Sequence, residues 1–145
     1  MKNKLLTLLF SGVIAMAHGI ARPTNQPNAW VADVTEEKPV VTLSWAEPQT
    51  IARMELMFDT DYDHPMESVL WGHPEDRMPF CARGYRVLDD TGRALADVRE
   101  QHQTRAVIVL PQAVRTQSLR IEITRPEKNI PAALFAVRCY AEVES

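Results

Sequence analysis

The sequence predicts an all-β protein, folded as an antiparallel β-sandwich. Apolar and polar residues alternate with a period of two through most of the chain after residue 30. No segment with helical periodicity exceeds two turns outside the apolar start. Ten prolines stand against five glycines, a balance that favours short segments ended by stiff turns. Strict alternation means that each strand buries one face, and two such sheets stacked together bury both inner faces.

Taken in order, the first strand has Val41, Leu43 and Trp45 on one face, with Thr42 and Ser44 on the other. Next, Met54, Leu56 and Phe58 alternate with Arg53, Glu55 and Met57. Tyr85 and Val87 alternate with Arg86 and Leu88. Asp89-Asp90-Thr91-Gly92 then makes a turn, from which residues 95–98 return. Residues 106–110 are apolar and rich in β-branched side chains, which predicts a strand buried on both faces. Leu119, Ile121 and Ile123 alternate with Arg120, Glu122 and Thr124. Last, Phe135, Val137 and Cys139 alternate with Ala136, Arg138 and Tyr140. About seven short strands result.

With 145 residues, 46% hydrophobic and 24% charged, the chain has the size and composition of one globular domain. Its net charge of −3 is mixed in sign, and no basic stripe points to nucleic acid. Three segments divide it. Residues 1–17 read as a signal peptide or apolar N-terminal segment. Lys2 and Lys4 supply the positive start, Leu5, Leu6, Leu8, Leu9, Phe10, Val13 and Ile14 the apolar run, and Ala15-Met16-Ala17 the small-x-small cleavage pattern. That run falls short of the ~20 residues of a membrane span. A cleaved signal implies a periplasmic or secreted protein; without it the chain is cytoplasmic. Residues 18–29 form a linker loop punctuated by Pro23 and Pro27, and the sandwich occupies residues 30–145.

The chemistry-bearing residues gather in loops. Residues 59–80 form a polar stretch longer than the ~12–15 residues usual for unstructured loops, a length often tied to function. Asp59, Asp61 and Asp63 have the alternating carboxylates that begin a calcium loop. His64 stands where an EF-hand needs glycine and Leu70 where it needs a bidentate glutamate, so calcium requires another geometry. His64 and His73 are spaced without a zinc pattern. A polar loop ordered by its own hydrogen bonds explains the same residues. Trp30, Tyr62 and Trp71 fall in loop-like positions that suit a sugar platform beside Arg22, Asn28 and His64, while Trp30 and Trp71 suit equally plugs at the ends of the sandwich; Trp45 falls on a core face. Residues 100–105 form a second polar cluster, containing His102 and Arg105, suited to a hydrogen-bonded turn or to contact with a neighbouring domain. Cys81 and Cys139 suit either a disulfide or two buried thiols.

No catalytic constellation emerges. Gly-x-Ser-x-Gly is absent, and the singly scattered glycines form neither a Gly-x-Gly-x-x-Gly turn nor a phosphate-binding loop. A flavin or nicotinamide would have to be held outside this chain.

Several segments nevertheless resemble one family. Ala29-Trp30-Val31-Ala32-Asp33, the run DTDYDHPMESVLWGHPEDRMPFC from Asp59, HQTR over residues 102–105, and PAALFAVRCY from Pro131 are similar to the C-terminal domain of bacterial FAD-dependent oxidoreductases. The resemblance covers roughly residues 19–140. It implies a discoidin or galactose-binding-like jelly roll with no catalytic residues of its own, acting in docking to a flavoprotein domain or in carbohydrate binding. FAD is implied only for a domain upstream, which makes the chain a fragment or split-gene product. It also implies a first edge strand where the apolar start now stands. The candidate ligand or docking residues are Trp30, Asp61, His64, Trp71, His73, His102 and Arg105.

Overall fold

The computed structural model describes residues 29–60, 80–126 and 129–142. Among these, every element is a strand. There are six: β1 (Trp30–Val31), β2 (Val40–Phe58), β3 (Gly84–Leu88), β4 (Ala94–Val98), β5 (Arg105–Thr124) and β6 (Ala133–Tyr140). All pairings are antiparallel, in the order β1-β6-β2-β5-β3-β4.

The predicted seven short strands become five because four of them merge into two, and the short edge strand β1, which was not predicted, makes six. β2 and β5 run 19 and 20 residues, and they pair with each other in three stretches, the middle one residues 49–51 against 114–116. Residues 40–44 of β2 lie against 118–122 of β5, and residues 53–57 lie against 105–109. Between these stretches the register breaks twice, at Ser44/Gln49 and at Ile51/Arg53. Pro48 and Pro111 sit in the breaks, where no ladder N–H is required of them. The two long strands fold over at this corner. One layer is then the first half of β2 with the second half of β5, extended by β3 and β4. The other is the second half of β2 with the first half of β5, extended by β6 and β1.

Alternation directs the side chains into one core. Val41, Leu43 and Trp45 come from the first half of β2, and Met54, Leu56 and Phe58 from the second. Leu119, Ile121 and Ile123 come from β5, Tyr85 and Val87 from β3, Leu134 and Val137 from β6. Leu43, Ile51, Met54, Leu56, Phe58, Leu119, Ile121 and Leu134 are 0–1% exposed. Full burial of each such side chain contributes roughly 1.5–3 kcal/mol. The Phe58 and Tyr85 rings meet across the layers, 5.5 Å apart and tilted by 33°. Burial pushes the Tyr85 phenol above its ordinary value.

Three local readings are corrected. Residues 106–110 bury one face, not two: Ala106, Ile108 and Leu110 point inward, while Val107 and Val109 are 48% and 54% exposed. Phe135 does not share a face with Val137, because a register shift opposite Met57/Phe58 gives β6 an extra residue there. Phe135 joins Met57 and Ala136 in a small separate cluster. Trp30 lies in the edge strand β1, opposite Leu134, and not in a loop.

The turn at residues 89–92 forms as read. Gly92 takes a φ of 80°, which favours glycine. Asp89 Oδ1 accepts from Thr91 Oγ1 and from the amides of Thr91 and Arg93. Desolvation raises the Asp89 carboxyl, and these bonds more than offset it, holding the group below its ordinary value. The turn also braces the corner, since the Asp90 amide donates to Thr116 Oγ1 and the Gln117 amide to Asp90 Oδ2.

Gly84 opens β3 where the chain passes close to β4. A Cβ there would stand 2.5 Å from the Val98 carbonyl oxygen. Gly84→Ala is expected to lower stability by about 1–3 kcal/mol, read as an earlier urea midpoint. An unchanged midpoint would show that β3 and β4 separate freely at this point.

Candidate functional site: the loop end of the sandwich

Because β2 and β5 fold over, both ends of each strand lie at the end of the sandwich opposite the corner. Segments far apart in sequence therefore converge there. The Phe58 amide donates to Thr104 O at 2.8 Å and the Asp59 amide to Ala133 O at 3.1 Å. Ala32 N donates to Ala132 O, Arg83 N to Thr124 O, and Gln101 N to Arg83 O. Thr60 and Thr104 share a hydroxyl–hydroxyl bond of 3.0 Å. The long polar loop thus departs from residues 59–60 and returns at 80–83 on either side of the polar cluster at residues 100–105. Buried Gln101 fixes that cluster by donating from its side-chain amide to Gln103 O. His102 is exposed, its Nδ1 3.4 Å from Glu100 O.

Trp30 reaches the same end, half-buried and packed against the main core. Asp61, Tyr62, Asp63, His64, Trp71 and His73 lie outside the described residues. Asp59 is described, at the start of the loop. Among the described residues, no group of three or more His, Cys, Asp and Glu is placed to hold a metal ion.

Arg105 turns away from the loop end onto the outer face of the second layer. There it meets Glu55, which is 1% exposed. Arg105 Nη2 donates to Glu55 Oε1, as does Arg53 Nη1 at 2.9 Å, and Arg138 Nη1 lies 4.0 Å from Oε2. One carboxylate thus ties three strands, and its hydrogen bond raises Arg105 above the ordinary guanidinium value. The Arg53 guanidinium also stacks 4.1 Å above the Tyr140 ring. Sequence reading missed this cluster. Its signal was an Arg-x-Glu-x-Met face on β2 beside an Arg-x-Tyr face on β6, in phases that register alone aligns.

The disulfide does not form: the Cys81 and Cys139 thiols are not bridged to each other. Each packs as a small apolar residue. Cys81 is fully buried and its Sγ donates to Ala82 O. Cys139 lies opposite Met54 and against the main core. Burial pushes the Cys139 thiol up to about 12.

Comparison with solved structures matches this architecture to carbohydrate-binding modules. A family 32 module from Streptococcus pneumoniae EndoD shares 13% identity, covering 90% of this chain and 86% of its own, with a TM-score of 0.65. Chitosan-binding module 1 of a Paenibacillus chitosanase/glucanase shares 13%, covering 97% and 99%, with a TM-score of 0.64. The family 32 module of Clostridium perfringens NanJ, solved with galactose, shares 8%, covering 87% and 82%, with a TM-score of 0.60. The fold is therefore the galactose-binding or discoidin-like β-sandwich. No protein-family model and no curated protein sequence matches the chain.

Two measurements test this chemistry. Glu55→Gln keeps the shape but removes the charge that three arginines face, and is expected to cost about 1.5–3 kcal/mol in urea unfolding; no change would mean the cluster is solvent-screened. Without reductant, a thiol reagent should count two cysteines in denaturant and react slowly with the native protein; a count of zero would restore the disulfide. Cys139 also makes stability pH-dependent. Its folded value exceeds the unfolded one, so its contribution is complete below about 9 and declines as pH rises towards about 12.

Proposed function

We propose that this chain is a non-catalytic carbohydrate-binding module whose ligand site is the loop end of the sandwich. The observation that carries this reading is the convergence of Trp30, residues 59–60, residues 80–83 and the segment bearing His102 at one end of a fold shared with sugar-binding modules. Its chemistry suits the task. A half-buried indole offers an apolar face to a sugar ring, and exposed polar side chains on hydrogen-bonded turns offer partners to hydroxyls. Export, read from the N-terminal segment, fits a ligand met outside the cytoplasm.

A second reading is docking to a flavoprotein domain. It is favoured because the segments resembling the C-terminal domain of FAD-dependent oxidoreductases, residues 59–81 and 102–105, start, end or lie at this same loop end. FAD would then belong to the partner, and this chain would supply only the contact surface.

The two readings separate in one set of experiments. NMR titration with galactose and with chitosan oligosaccharides is expected to shift amides of Trp30, Asp59, Thr60 and residues 101–104. His102→Ala and Trp30→Phe should weaken binding by roughly five- to ten-fold, equivalent to about 1–1.4 kcal/mol. If no glycan shifts these residues while a flavoprotein domain of the resembling family does, the docking reading replaces the carbohydrate one.

A further inference from the structure

The opposite side of the molecule holds a second feature that the loop-end reading does not use. The sandwich is open where β4, the edge of the first layer, lies beside the first half of β5, the edge of the second. Among the described residues, β4 pairs only with β3, and this half of β5 only with β2. Between them, towards the corner, lies a crevice of about 240 Å³. Its wall on the first layer is Arg93 and Leu95, and its wall on the second is Leu110, Pro111, Gln112 and Val114. Residues 110–113 are available to form that wall because they leave the ladder at the Ile51/Arg53 register break.

The lining specifies its occupant. Leu95, Leu110, Pro111 and Val114 give an apolar floor that suits the C–H face of a ring. Edge strands carry backbone N–H and C=O groups directed away from their single partner strand, which suit hydroxyls. Arg93 is the charged lining residue, and no acidic side chain accompanies it. Asp89, on the same turn, accepts from Thr91 Oγ1 and from the amides of Thr91 and Arg93, and feels the Arg93 charge. The volume lies below the ~300–1,000 Å³ of pockets for drug-sized ligands, so it suits one ring and not a chain of them.

We propose that this crevice is a second ligand site, taking a hydroxylated ring that carries one carboxylate, as in a uronic acid, with the carboxylate on Arg93 and the ring on the Leu95–Pro111–Val114 floor. It stands whether or not the loop end binds neutral sugar.

The test is NMR titration of the whole chain with galacturonic acid, galactose and acetate, each at the same millimolar concentration. Galacturonic acid should shift the amides of Ala94, Leu95, Gln112 and Val114 saturably, with galactose and acetate doing so far less. Arg93→Gln should weaken galacturonic acid at least roughly five-fold, as expected for an ion pair at a partly open site. Val114→Phe, which fills the crevice, should abolish the response, and His102→Ala should leave it unchanged. The proposal is overturned if Arg93→Gln binds galacturonic acid like the unsubstituted protein, if the shifts map to residues 101–104 instead, or if no saturable shift occurs. Failure of the loop-end reading registers separately, as an absent galactose response at Trp30 and His102.

Discussion

β2 and β5 are hydrogen-bonded to each other in both layers, and the rest of the molecule depends on the corner where they fold over. A strand pair that turned only once would leave each layer with one open inner face. Folding the pair over instead sets Leu43 and Leu119 of one half against Met54, Leu56 and Ile108 of the other within one core. The geometry needs backbone that can leave the ladder without stranding a buried donor. Pro48 and Pro111 lack that donor, and Thr116, 1% exposed, closes the corner by donating to Ser118 O while accepting from Asp90 N. The same fold-over carries four strand ends to one place, so the loop end follows from the corner.

The two outer faces differ in kind. On the first layer, Arg86 lies between Asp97 and Glu122 at 3.4 and 3.5 Å, directly across the ladders, with all three side chains 29–48% exposed. Pairs of this sort contribute about 0.2–1 kcal/mol each and suit a solvated surface. On the second layer, Met57, Phe135 and Ala136 are buried and Glu55 is sequestered among arginines. A carboxylate removed from water is tolerated only with such compensation. Beside it, Val107 and Val109 stay exposed, so the apolar character of this face continues to the sheet edge. The molecule therefore has one ordinary charged face and one whose polar groups are committed to tying β2, β5 and β6 together.

The strand content and the inward face of nearly every strand were legible because a period of two leaves little freedom: shifting Leu119, Ile121 and Ile123 by one residue would expose all three. The turn at residues 89–92 was legible because Asp89 and Gly92 supply the acceptor and the positive φ that it needs. Phe135 was misassigned because a bulge reverses the phase of alternation without leaving a mark in composition. Residues 106–110 were misassigned because valines at 107 and 109 look identical whether they face a core or an open side. The convergence of Trp30 with His102 was not legible at all, since it rests on pairings between segments far apart in the chain.

By itself the sequence determined a layered antiparallel β protein, because alternation is a local property. Only the tertiary structure decided that four strands would merge into two, that Glu55 would be the buried hub of three arginines, and that the polar segments would share one end. Those outcomes depend on register, and register is set by which strands meet across the core and where the ladder breaks.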